Sequence, residues 1–232
     1  MLSTAYVLTA EAAYIAGVTD RQLQRLFDEG VLAAPFVRTD SVRVNGQSGG
    51  RLFARISAAF AKFYFDLDED LTASARRFVI GQISQRVLAR PDSSALMALS
   101  FQPASMNWDV EFKNFDVGLA PFVAHAHARA AQIQRVNQLI VEDPEILGGQ
   151  AVMKGMRLPV ETLLAMHLGG RSFSDLQVDY PKLTQELLDA AAIYQAIHPR
   201  RGRPAKPVES ASALAGWKVR SHKIVRAAHA PA

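Results

Sequence analysis

There is no cysteine anywhere in this chain of 232 residues. That absence excludes a disulfide scaffold, a thiol nucleophile and any cysteine-ligated zinc or iron–sulfur centre. Long apolar runs are missing too: no stretch reaches the roughly 20 residues needed to cross a bilayer. The opening Met1-Leu2-Ser3-Thr4 also lacks the charged-then-apolar order of a signal peptide. The expectation is a soluble cytoplasmic protein that stays off membranes. Catalytic signatures are absent as well, with no glycine-rich phosphate loop, no nucleophile elbow and no histidine metalloprotease pair. His125 and His127 stand two apart, a spacing that sends them to different faces of a helix. Asp66, Asp68 and Asp70 begin like a calcium loop but lack its glycine and its closing glutamate. No metal, no cofactor and no enzymatic activity are expected.

What the chain does have is 49% apolar residues, enough for a real core, and an uneven distribution of charge. From His198 to the end, Arg200, Arg201, Arg203, Lys206, Lys218, Arg220, Lys223 and Arg226 face one acid, Glu209. The segment is therefore at +7, which leaves −3 for the rest. A basic tail on a mildly acidic body suits a polyanion or an acidic protein groove, and equally suits simple solvation. Beyond Pro199 the composition shifts to Pro, Arg, Gly, Ser and Ala, so the tail is expected to order only on binding.

Leu8 to Leu32 reads as two short helices. Thr9 is the expected cap of the first, Gly17-Val18 the turn, and Thr19 the cap of a second that runs through Phe27. Leu23, Leu26 and Phe27 share an inward face at i, i+3 and i+4, which leaves Arg21, Gln22, Gln24 and Arg25 pointing elsewhere. A hairpin is expected next, with Val42-Arg43-Val44 and Arg51-Leu52-Phe53 joined through Asn45-Gly46-Gln47-Ser48-Gly49-Gly50. Helix, turn, helix and wing in this order resemble the winged helix-turn-helix of MerR-like regulators. The resemblance implies that the second helix enters a DNA major groove, where Arg reads guanine and Gln reads adenine. Arg21, Gln22, Gln24 and Arg25 are the candidate contacts. Arg38, Arg43 and Arg51 are candidates for phosphates, which fix register without specifying sequence. A solvated polar helix face is the competing reading.

Helical periodicity continues over Ile56–Phe65 and Thr72–Leu88, and strands are expected at Ala95–Phe101 and Asn107–Phe112. Asp116 is the expected cap of a long helix reaching about Gln138, with Pro121 in its first turns. A reader of pseudo-palindromic DNA needs two copies, so this helix is a candidate homodimer element. Further along, Leu139-Ile140-Val141 has strand character, Val160–Leu168 reads as a helix ended by Gly169-Gly170, Ser172 or Ser174 starts another, and Thr184 caps a third to about Ile197.

The run Asp143-Pro144-Glu145-Ile146-Leu147-Gly148-Gly149, continuing through Lys154-Gly155-Met156-Arg157-Leu158-Pro159-Val160-Glu161, reads as a loop pinned between short strands and a helix start. Its charged residues are read as capping and bracing. It resembles the signature of a small helical domain of unknown function that occurs in VapB-type antitoxins. The resemblance implies an antitoxin of a type II toxin–antitoxin system that represses its own operon and neutralises a VapC-like ribonuclease toxin of the PIN fold. Arg200, Arg201 and Arg203 would then reach the toxin's clustered carboxylates, since a guanidinium fork pairs two carboxylate oxygens. Trp217 would be an apolar anchor. Arg200-Arg201-Gly202-Arg203-Pro204 also resembles the core of AT-hook peptides that enter the minor groove, which leaves open a free-standing MerR-like transcriptional regulator.

The expected fold class is mainly α with short β elements. A winged helix-turn-helix takes residues 1–65, a helical and two-stranded middle takes 66–138, an antitoxin-like helical domain with its own helix-turn-helix takes 139–198, and a basic tail takes 199–232.

Overall fold

A computed structural model describes residues 5–39, 50–100, 106–113 and 115–198. Strand β1 (Tyr6–Leu8) leads directly into α1 (Thr9–Ala16), because Leu8 is still extended and serves as the N-cap. Thr9 is thus the first helical residue rather than the cap, and its hydroxyl instead accepts from Gln24 Nε2 at 3.0 Å. Gly17 takes the left-handed conformation with φ of 71°, a turn that a side chain would strain. Then α2 (Asp20–Asp28) starts on a full capping box, in which Thr19 accepts from the Gln22 amide while Gln22 accepts from the Thr19 amide.

Strands β2 (Val37–Arg38) and β3 (Leu52–Ala54) follow, and β3 lies in the centre of an antiparallel sheet ordered β1-β3-β2. Leu52 pairs with Leu8 on one side and Arg38 on the other, and Phe53 with Val7 and Val37. Both edges at Leu52 and Phe53 are therefore occupied. The strand found beside β3 on the side away from β1 is Val37–Arg38, with Val37 buried against Phe53. Val42, Arg43 and Val44 themselves lie outside the described residues.

Helices α3 (Ser57–Asp66), α4 (Ala73–Leu88, capped by Thr72) and α5 (Ser93–Ala98) come next. The strand expected at Ala95–Phe101 is helical as far as Ala98, because Ser-Ser-Ala-Leu-Met-Ala contains good helix formers and no β-branched residue. Strands β4 (Asp109–Phe112) and β5 (Phe115–Gly118) form an antiparallel pair. Asp116 is not a cap: it sits within β5 opposite Glu111, and the 20-residue α6 (Ala120–Leu139) begins after Leu119 with Pro121 in its first turn. Val123, Ala126, Ala130, Ile133 and Val136 form the buried stripe of α6 at intervals of three and four. That stripe is spent inside the protomer.

The signature loop folds as its residues lead one to expect. Strands β6 (Ile140–Val141) and β7 (Val152–Met153) pair antiparallel, Asp143 Oδ1 accepts from the Glu145 amide, and Gly148, Gly149 and Gly155 all adopt positive φ. The side chains of Glu145, Lys154 and Arg157, read as bracing residues, make no hydrogen bond or ion pair among the described residues. Pro159 is the extended N-cap of α7 (Val160–Leu168), and Ser172 forms a capping box with Asp175 at the start of α8 (Phe173–Asp179). Thr184 caps α9 (Gln185–Ile197).

The fold is mainly helical with short antiparallel strands. Two apolar clusters hold it. The larger runs from Ala5 to Ile133 without a break between the β1–β3 unit and the middle helices, and includes the edge-on pairs Phe36–Phe60 and Phe63–Phe122. A smaller one gathers Val136, Met153, Leu163, Leu176 and Leu188 around α7–α9. Both α6 and α9 contribute to each, Ile197 closing the larger cluster and Ile193 packing against both. Among the described residues no helix is long and apolar enough to cross a membrane.

Candidate nucleic-acid interface

Helix α2 buries Leu23 and Leu26 and packs Phe27 against the larger cluster, as its periodicity requires. Arg21 and Arg25 are exposed, while Gln22 and Gln24 are half-buried. The Arg21 side chain makes no hydrogen bond or ion pair among the described residues. The other candidate contacts are held by neighbours: Gln22 in the capping box, Gln24 between Thr9 and Arg51, and Arg25 on Glu29 at 2.5 Å. An incoming base or phosphate would have to compete with these partners.

Arg51 pairs with Asp28 at 2.8 Å, donates to Gln24, and lies 4.2 Å above the Phe27 ring. Arg38 lies over the Tyr6 ring at 4.1 Å. Arg38 opposes Leu52 in register, and Arg51 precedes Leu52 in the chain. Arg43 lies outside the described residues, as do Arg200, Arg201, Arg203 and Trp217.

The tertiary structure adds partners that reading along the chain misses. Glu29, the C-cap of α2, accepts Arg77 from α4 at 3.0 Å as well as Arg25. The hydrogen bond from Arg25 holds its carboxyl below the usual carboxylate range, burial opposes this, and Arg77 adds to the lowering. One signal for α4 was available: Arg76 and Arg77 lie near a helix start that has no acid in its first turn, the reverse of what the helix dipole favours.

A concave feature of about 670 Å³ lies between β1 and the α7–α9 unit, with Leu8, Glu142, Glu161, Tyr194 and His198 in its walls. Tyr194 donates its hydroxyl to Glu142 and stacks on His198 with ring centroids 4.2 Å apart. Burial, followed by that hydrogen bond and the charges of Glu142 and Glu161, pushes the Tyr194 phenol well above its ordinary pKa. The wall containing His198 is where the basic tail departs in sequence. On the same unit Leu168 and Val178 are 84% and 78% exposed.

Residues 140–195, from β6 to within α9, match the family described as protein of unknown function (DUF433). The chain is also 30% identical over 194 residues to "Uncharacterized protein y4eO" of Sinorhizobium fredii, an alignment covering 84% of this chain and 82% of that protein. No solved structure matches the chain.

Proposed function

The chain belongs to the same family as y4eO of Sinorhizobium fredii, and from that premise we propose that it is a DNA-binding antitoxin of the VapB type. The observation that carries the DNA-binding part is the order β1-α1-α2-β2-β3 with its central β3. A tightly turned helix pair leans on a small antiparallel sheet and presents Arg21 and Arg25 on the exposed side of its second helix. The antitoxin part is supported by the DUF433 match followed in sequence by a tail at +7. Under this reading the tail blocks a VapC-like ribonuclease while the helix pair represses the operon as a homodimer. Because the apolar stripe of α6 is buried within one protomer, the dimer uses another surface.

The reading is tested by co-expressing the product of the adjacent gene with the full chain and with a version ending at Ile197. A ribonuclease held silent by the full chain and released or left active by the short one is the expected result. If nothing co-purifies, yet the full chain shifts its own upstream DNA, the MerR-like regulator with an AT-hook-like tail takes the place of the antitoxin. The Arg-Gly-Arg-Pro core at 201–204 favours that second reading. In either case Arg21→Ala should weaken operator binding by about 1–3 kcal/mol if Arg21 reads a base. Fluorescence anisotropy on operator and scrambled duplexes checks it, and an unchanged affinity would remove α2 from the interface.

A further inference from the structure

Arg76 on α4 is only 8% exposed, yet no carboxylate pairs with it among the described residues. Its guanidinium donates to the Tyr64 carbonyl and lies 4.3 Å above the Tyr64 ring, while its buried Nε has no acceptor. A buried cation without a counter-charge is costly, and proteins ordinarily pair it or bring it an anion.

This side chain lines a cleft of about 490 Å³ between α2 and α4, together with Arg25, Glu29, Asp68, Ala73 and Arg77. Ala73 is the first residue of α4, a 16-residue helix whose cap Thr72 takes the Ala75 amide. Other first-turn amides of such a helix have no intrahelical acceptor, and with the helix dipole they attract anions. Of the two acids in the lining, Glu29 is already engaged by Arg25 and Arg77. Asp68 makes no ion pair or hydrogen bond among the described residues. With Arg25, Arg76 and Arg77 against Glu29 and Asp68, the lining keeps a net charge of +1.

We propose that this cleft binds a phosphate-type oxyanion, with Arg76 as its central ligand and the start of α4 behind it. Arg25 and Arg77 close on the anion by exchanging Glu29 for it, since guanidinium forks match tetrahedral oxyanions as well as carboxylates. The phosphate can belong to a DNA backbone lying along α2 or to a free phosphorylated molecule. In the second case the ligand competes for Arg25 and so reaches the candidate DNA-reading helix. The site itself does not depend on the antitoxin reading.

The test measures binding of inorganic phosphate and pyrophosphate by calorimetry, and of a 20-base-pair duplex by anisotropy, at constant ionic strength. It compares the full wild-type chain with Arg76→Met, Glu29→Gln and, as a charge control on the same helix, Asp20→Asn. A free-ligand site gives saturable phosphate or pyrophosphate binding that Arg76→Met weakens at least tenfold and Glu29→Gln strengthens severalfold. A backbone-phosphate site gives the same pattern on the duplex alone. Should Arg76→Met fail to fold, the Glu29→Gln gain decides. Wild-type binding of all three ligands by Arg76→Met and Glu29→Gln, or an equal gain from Asp20→Asn, overturns the proposal.

Discussion

His125 lies half-buried on α6 with its Nε2 buried and unpartnered, between Lys62 and Arg129. Burial first, then those two cations, lowers its pKa, against a smaller pull from Asp66. The folded chain therefore keeps this imidazole neutral, while the unfolded chain takes up a proton near the ordinary histidine value. Its contribution is complete above that value and is lost as the pH falls from there through the lowered folded pKa. Denaturant unfolding should accordingly show lower stability at pH 5.5 than at pH 7.5, and His125→Gln should reduce the difference. An undiminished pH dependence in the variant would assign it to other groups. Glu29 obeys the same sign in a lower window: the Arg25–Glu29–Arg77 link persists from neutral pH and fails as the pH drops through its depressed value. At this scale the sequence was partly legible. Arg21 and Arg25 could be placed on the outer side of α2 from the spacing of Leu23 and Leu26 alone. Nothing local said that Arg77 would arrive from 48 positions away to share Glu29.

Helix starts were legible where a Ser or Thr, itself extended, stood just before a helical run. Thr19, Thr72, Ser172 and Thr184 each accept an amide hydrogen bond in the first turn, since a short hydroxyl side chain at the N-cap reaches those otherwise unpaired donors. Thr9 and Asp116 have the right chemistry but the wrong neighbours. Thr9 follows β1 with no turn, and Asp116 is committed to β5 by its pairing with Glu111. Replacing Thr19 with Ala should cost about 1 kcal/mol, and with Gly only a few tenths, because Gly at this position lets water reach the same amides. Urea unfolding reads both values. An alanine cost near zero would mean that packing of Leu23 and Leu26, rather than the capping box, holds α2 in place. In α5 two serines precede Ala95, Leu96, Met97 and Ala98 with no alternation and no β-branched residue, and the helix prevailed.

The whole molecule is joined by two helices. Helix α6 gives Val123, Ala126, Ala130 and Ile133 to the larger cluster and Val136 to the smaller, and α9 likewise serves both. Damage to one cluster should therefore reach the other. Leu163 is fully buried in the smaller cluster, and Leu163→Ala should cost about 2–5 kcal/mol. Trp108, 4% exposed in the larger cluster, should report that loss, its fluorescence transition moving together with the circular dichroism signal. Separate transitions, with Trp108 unmoved, would show that the α7–α9 unit unfolds alone. Periodicity, caps and glycine placement determined by themselves that the chain is mainly helical, where most helices start, and how the Gly148–Gly155 loop turns between β6, β7 and α7. Those are local properties, set by φ, side-chain spacing and first-turn amides. The sheet order β1-β3-β2, the continuity of the larger cluster from the β1–β3 unit into the middle helices, and the meeting of Arg25, Glu29, Arg76 and Arg77 were decided only in three dimensions. They depend on which apolar faces bury each other, and a face records how much it must bury but not its partner.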